Sequence, residues 1–127
     1  MELIAIVTVL VLIQFFLFSY LVGVQRGKHG VKAPAMSGHP EFDRALRIQQ
    51  NTMEQLVVFI PALWLFGYYV DPRWGAGIGL VFLIGRFVYR AGYLADPAKR
   101  HTGFMIGMVA MLALLLGGLY GAIRRLI

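Results

Sequence analysis

A chain of 127 residues that is 59% hydrophobic, only 14% charged and has a mean hydropathy of +0.72 lies far from soluble domains, where about a quarter of residues are charged. Its net charge of +6 and pI near 10.1 would point to nucleic acid in a soluble protein. Here the charges fall between apolar runs, so anionic headgroups and acidic small molecules are the fitting counterparts. With no cysteine there is no disulfide, thiol nucleophile or thiolate metal site, and His29, His39 and His101 are too scattered to hold a metal.

A membrane crossing needs about 20 apolar residues, so a chain this short crosses four times with little left for loops, as one domain over residues 1–127. Residues 3–24 form an uncharged stretch too long for a signal-peptide core, and no small-residue cleavage site follows them; this is helix one, retained. Arg26 to Pro40 holds three glycines, two prolines and several basic residues and reads as the one long loop. Helix two covers residues 41–70, opened by Pro40 and Glu41, which suit a first helical turn and the helix dipole. Asp71-Pro72-Arg73 is a tight turn, helix three covers residues 74–95, Asp96-Pro97 ends it, and helix four covers residues 103–124. The short connections favour an all-α integral membrane fold, a four-helix transmembrane bundle running up-down-up-down. Arg26, Lys28, Lys32, Lys99 and Arg100 lie on the side of the loops after helices one and three, against Arg73, Arg124 and Arg125 on the other. The positive-inside rule places those two loops in the cytoplasm.

An ionisable residue in a membrane helix costs roughly 2.5 to 3.5 kcal/mol on insertion scales, so it persists where it pairs or faces a cavity. In helix two, Arg44, Arg47, Asn51 and Glu54 are spaced by three, four and three, which puts them on one stripe. Helix three repeats the pattern with Arg86, Tyr89, Arg90 and Tyr93. Two such stripes near the end of the long loop converge on one positive crevice with Arg26 and Arg100 at its rim. Structural readings compete at each residue: Arg44 and Arg90 fit interfacial snorkelling, Glu54 with Arg47 fits a buried ion pair, and Tyr89 and Tyr93 fit an aromatic belt. The joint pattern favours a ligand. Arginine forks suit carboxylates, Glu54 suits an ammonium, and Asn51, Gln49 and the tyrosine hydroxyls suit amides. A small peptide-like zwitterion with excess negative charge, such as glutathione, meets that description. An arginine beside its thiol favours the nucleophilic thiolate.

The segment Phe42 to Glu54, F-D-R-A-L-R-I-Q-Q-N-T-M-E, resembles the signature of the MAPEG family, the membrane-associated proteins in eicosanoid and glutathione metabolism. Arg47, Asn51 and Glu54 match its R-x-x-x-N-x-x-E core. Gly79-Leu80-Val81 through Gly92-Tyr93 is similar to helix three of the branch containing microsomal glutathione transferase type 2 and leukotriene C synthase. The likeness runs from Arg26 to about Phe104. It implies that Arg26, Arg47, Gln49, Asn51 and Arg86 hold the carboxylates and backbone of glutathione, that Glu54 receives its amino group, and that Tyr89 and Tyr93 complete the pocket. It further implies that Arg100 activates the thiol, and that the protein is a homotrimer with its sites between subunits. Three departures stand out: Gln55 where that branch has tyrosine, Gly27 where it has a second basic residue, and Pro61 far from the usual proline position. They argue against leukotriene synthesis and leave the glutathione site mostly intact.

The expected function is therefore a membrane-bound glutathione transferase, or a glutathione-dependent peroxidase, acting on hydrophobic electrophiles or lipid hydroperoxides, with glutathione as co-substrate and no metal. Two alternatives belong to other classes. A non-enzymatic lipid-binding protein of this fold would lack counterparts of Arg47 and Arg100. A small four-helix transporter would carry its essential acid in helix one, where only Glu2 stands, and so many arginines would repel a cationic drug.

Overall fold

The computed structural model describes all residues 1–127 as four long helices: α1 (Glu2–His29), α2 (Pro40–Tyr69), α3 (Pro72–Ala95) and α4 (His101–Leu126), with a single 3-10 turn, Pro97–Arg100, between the last two. Three connections start by the same device. His39, Asp71 and Asp96 are extended residues before a proline, and each accepts a backbone N–H two residues on with its own side chain, to Glu41, Arg73 and Ala98. Proline presets the first helical φ and lacks an N–H that would have no partner there, while the preceding side chain caps the next free donor.

Boundaries differ from the sequence reading at three places: α3 begins at Pro72 rather than at 74, so that Pro72 and Arg73 form its first turn instead of a separate tight turn, and α1 and α4 are both longer than expected. α1 continues past Val24 through Arg26, Lys28 and His29, shortening the long loop to residues 30–39. Hydropathy marks where a helix leaves the hydrocarbon, not where its hydrogen bonds stop. The residues after Asp96 form a 3-10 turn that feeds straight into α4, which therefore begins at His101. Pro61 lies inside α2, which remains one helix through it.

α2 and α3 each pack against all three other helices, whereas α1 and α4 meet little. The main core fills the end and middle nearest the Asp71 turn, where Ile4, Val7, Val11, Leu63, Phe66, Ala110 and Leu114 surround a stacked Phe59–Phe82 pair with ring centroids 3.9 Å apart. Phe16, Val57, Trp74, Val109 and Leu116 point outward, as expected of surfaces solvated by lipid. Helices α1, α3 and α4 are each long and apolar enough to cross a membrane. α2 falls short by composition because Arg44, Arg47 and Glu54 stand in its first half. It takes its place in the bundle by packing on all three neighbours.

Polar groups inside the bundle are mostly hydrogen-bonded between helices. Gln14 donates to the Leu83 carbonyl at 2.9 Å, and Trp64 donates to the Thr8 hydroxyl at 3.0 Å. At the Asp71 end, Arg125 donates to the Tyr68 carbonyl at 3.0 Å and lies 5.2 Å from the ring centroids of both Tyr68 and Tyr69. The C-terminus of α4 is thus fastened to the end of α2 by more than a general affinity for the interface.

Candidate functional site

The opposite end of the bundle is built differently. A cavity of about 800 Å³ opens there, lined by Arg47 and Asn51 of α2, Tyr89 and Tyr93 of α3, Ala98 and Arg100 of the 3-10 turn, and His101 and Phe104 of α4. Its size suits a small ligand. Two close approaches fix its shape. A Cβ on Gly103 would run into the backbone of Tyr89, and one on Gly92 into the carbonyl of Lys99. Glycine at these two positions lets α4 and the turn lie directly on α3, holding Arg100 against the tyrosines. The Arg100 guanidinium lies 5.9 Å from the Tyr93 ring centroid and donates to the Pro97 carbonyl at 2.6 Å.

Behind the cavity wall lies Arg86, only 1% exposed and the largest fully buried side chain. Its Nη2 donates to Asn51 Oδ1 at 2.8 Å and to Thr52 Oγ1 at 3.0 Å, its guanidinium stands 4.2 Å from the Tyr89 ring centroid, and its Nε has no partner. With its oxygen occupied by Arg86, Asn51 has its amide NH2 left to donate. No carboxylate lies within 4.0 Å of Arg47, Arg86, Arg90 or Arg100, since the ion pairs of the chain all lie elsewhere, at Glu2, Glu41 and Asp71. Two guanidinium groups line the cavity and a third backs it, all without a counterion in this chain. Such a site is complementary to an anion carrying more than one negative charge.

The sequence-predicted residues divide. Arg47, Asn51, Tyr89, Tyr93 and Arg100 line the cavity, and Arg86 backs it. Arg26, Gln49 and Glu54 do not line it. Arg26 donates to the Ala35 carbonyl at 2.7 Å and stacks 4.7 Å from the Phe42 ring centroid, and Gln49 donates to Ser19 Oγ at 3.4 Å. Arg26 belongs to α1 itself, and Gln49 lies on the side of α2 that faces α1, because two positions from Arg47 is a rotation of about 200°. Glu54 is exposed and unpaired, so the Arg47–Glu54 ion pair weighed as an alternative does not form. Arg47 makes only a long contact of 3.5 Å with Gln50 Oε1. Arg44 donates to the Leu94 carbonyl at 3.1 Å, capping the end of α3.

Sequence reasoning missed Ala98, His101 and Phe104 as lining residues and Thr52 as a partner of Arg86. The histidine was discounted for want of a metal partner, although its place directly after Arg100 was a usable signal. Nothing in the spacing marks Thr52, which faces α3 rather than the arginine stripe.

The model of the MAPEG family matches residues 4–120 of the chain. The chain belongs to the MAPEG family. Among MAPEG-related proteins, human microsomal glutathione S-transferase 2 is 41% identical over 115 residues, covering 89% of this chain and 78% of its own length. Rat leukotriene C4 synthase is 34% identical over 131 residues, covering 96% and 87%. An uncharacterised protein of Synechocystis is 40% identical over 122 residues, covering 96% and 89%. Within this MAPEG chain the signature residues Arg47 and Asn51 face the cavity, and the third, Glu54, continues the same stripe on the outer surface of the bundle.

Proposed function

We propose that this MAPEG protein is a membrane glutathione transferase that joins the glutathione thiolate to hydrophobic electrophiles reaching it from the bilayer. The observation that carries the reading is the cavity in which Arg47 and Arg100 stand without a carboxylate beside an amide and two phenols. The relatives named for glutathione transfer and leukotriene C4 synthesis support it. Arg47 and the amide of Asn51 bind carboxylate and peptide groups of glutathione, Arg86 fixes that amide, and Tyr89 and Tyr93 wall the site. Arg100 stabilises the sulfur anion. An opposite charge a few ångströms away lowers a pKa by about 1 to 3 units, enough to turn a thiol that ordinarily titrates near 8.5 largely into thiolate at neutral pH.

The working form in this reading is a homotrimer with sites between subunits. Glu54 and Arg47 are exposed on a helix that lies among membrane spans, where charge facing lipid is costly. Arg26 of α1 and Gln49 on the α1-facing side of α2 present ligand-binding groups away from that stripe. A neighbour that sets its Arg26–Gln49 side against the Arg47–Glu54 side of the first chain completes the site, and repetition of this head-to-tail contact closes a ring. The end bearing Arg26, Lys28, Lys32, Lys99 and Arg100 faces the cytoplasm, following its excess of positive charge.

Calorimetry of glutathione on the detergent-purified protein, with turnover of an aryl halide and of a lipid hydroperoxide, tests the reading. Arg100→Ala loses turnover while keeping affinity, and Arg47→Ala loses affinity. Absence of binding at millimolar glutathione would overturn it in favour of a lipid-binding protein on the same scaffold.

A further inference from the structure

The cavity holds one titratable side chain to which the preceding roles give nothing to do. His101 opens α4 immediately after Arg100 and lines the cavity with Arg47, Tyr89, Tyr93 and Phe104. It is exposed, and its ring takes part in none of the side-chain hydrogen bonds or ion pairs of the molecule, whereas Arg100 is engaged by the Pro97 carbonyl.

Forming a thiolate needs a stabiliser for the charge and an acceptor for the proton, and the lining residues divide sharply between the two. A guanidinium is always protonated and has no acceptor, a phenol is protonated at neutral pH, and an amide takes no proton. Imidazole alone among these groups changes charge between pH 5 and 8. We propose that His101 accepts the proton of the glutathione thiol, so that Arg100 stabilises the sulfur anion and its chain neighbour removes the hydrogen. The proposal rests on the glutathione reading above.

The S–H bond breaks, its electron pair stays on sulfur, and the proton passes to the unprotonated ring nitrogen of His101, directly or through one water. The thiolate then forms the C–S bond, and the leaving group of the electrophile departs with its bonding pair. Finally the imidazolium returns its proton to solvent. Sharing the cavity lining with His101 are Arg47 from α2, Tyr89 and Tyr93 from α3, and Arg100 from the turn before it.

Rapid mixing of glutathione with the purified protein, followed by the ultraviolet absorbance of the thiolate, tests the proposal. His101→Gln slows thiolate formation by about a hundredfold, the scale of a lost general base, and leaves the equilibrium thiolate and glutathione affinity within about twofold. Imidazole added to the buffer restores the rate with saturation. Arg100→Ala does the reverse, lowering the equilibrium amount of thiolate. The proposal falls if His101→Gln forms thiolate at the wild-type rate, or forms it slowly with no response to imidazole. Wild-type protein that binds no glutathione overturns the transferase reading itself and the proposal with it, an outcome distinct from normal binding with an unaffected His101→Gln.

Discussion

The two ends of the bundle solve opposite problems. Near the Asp71 turn, Phe59, Leu63, Phe66 and Phe82 fill the interior with apolar groups, and Gly75 and Gly79 bring α3 close to side chains of α1 and α2. At the other end the same helices enclose a buried arginine, an open cavity and two further arginines that no carboxylate balances. One end is complete in a single chain. The other holds unsatisfied charge and is finished only by a ligand and, in the reading proposed above, by a neighbour. In that reading stability and function are separated along one axis, and α2 and α3 carry both.

Substitutions sharpen that contrast. Phe59→Ala removes half of the stacked pair and is expected to cost about 3 kcal/mol of unfolding free energy in detergent. This is the low end of the phenylalanine-to-alanine range, because lost van der Waals contact rather than transfer from water supplies the penalty in a membrane. Glutathione affinity should hardly change in the fraction that stays folded. A large loss of affinity at unchanged stability would break the division between the ends. Arg100→Ala is expected to do the opposite, lowering kcat by about a hundredfold or more with a melting temperature near wild type, in line with the removal of a group aimed at developing negative charge.

Arg86→Met lies on the border and tests the comparison most directly. Replacing an unpaired buried cation by an apolar side chain of similar length is expected to stabilise the empty protein by about 1 kcal/mol or more while weakening glutathione binding about tenfold. A destabilised empty protein would mean that Arg86 serves the fold. The smallest effect belongs to Gln14→Leu. It loses the 2.9 Å bond to the Leu83 carbonyl and also removes a buried amide oxygen that has no partner. Stability by chemical denaturation should move by less than about 1 kcal/mol.

Much of this division could be read in the sequence. His39-Pro40 and Asp71-Pro72 announce the starts of α2 and α3 to within two residues, because the physics of a capped first turn is local, whereas Asp96-Pro97 reads only as the end of α3 and the 3-10 turn it opens stays hidden. The arginine stripes of α2 and α3 were visible as spacings of three and four, and Arg47, Asn51, Tyr89 and Tyr93 meet as those spacings imply, while Arg44, Glu54 and Arg90 of the same stripes do not line the cavity. What stayed hidden was non-local. The extension of α1 to His29 depends on hydrogen bonds that polar residues sustain as well as apolar ones. Arg26 and Gln49 do not reach the cavity within one chain, since Arg26 stands on α1 and Gln49 on the side of α2 turned toward α1. Thr52 and Phe104 join the site through the approach of α3 to α2 and of α4 to α3, and those approaches depend on glycines whose neighbours no spacing identifies.

The uncompensated charge around Arg86 also bears on how long the protein lasts. A ligand that binds only the folded form raises its resistance to unfolding by about 2.7 kcal/mol at a hundred times its dissociation constant. An anion settling among Arg47, Arg86 and Arg100 relieves the repulsion of those groups as well. In the transferase reading, the thermal endurance of the bundle should therefore climb with free glutathione in the surrounding medium, and a cell whose thiol pool is drained would lose the protein by unfolding and turnover as well as by want of co-substrate.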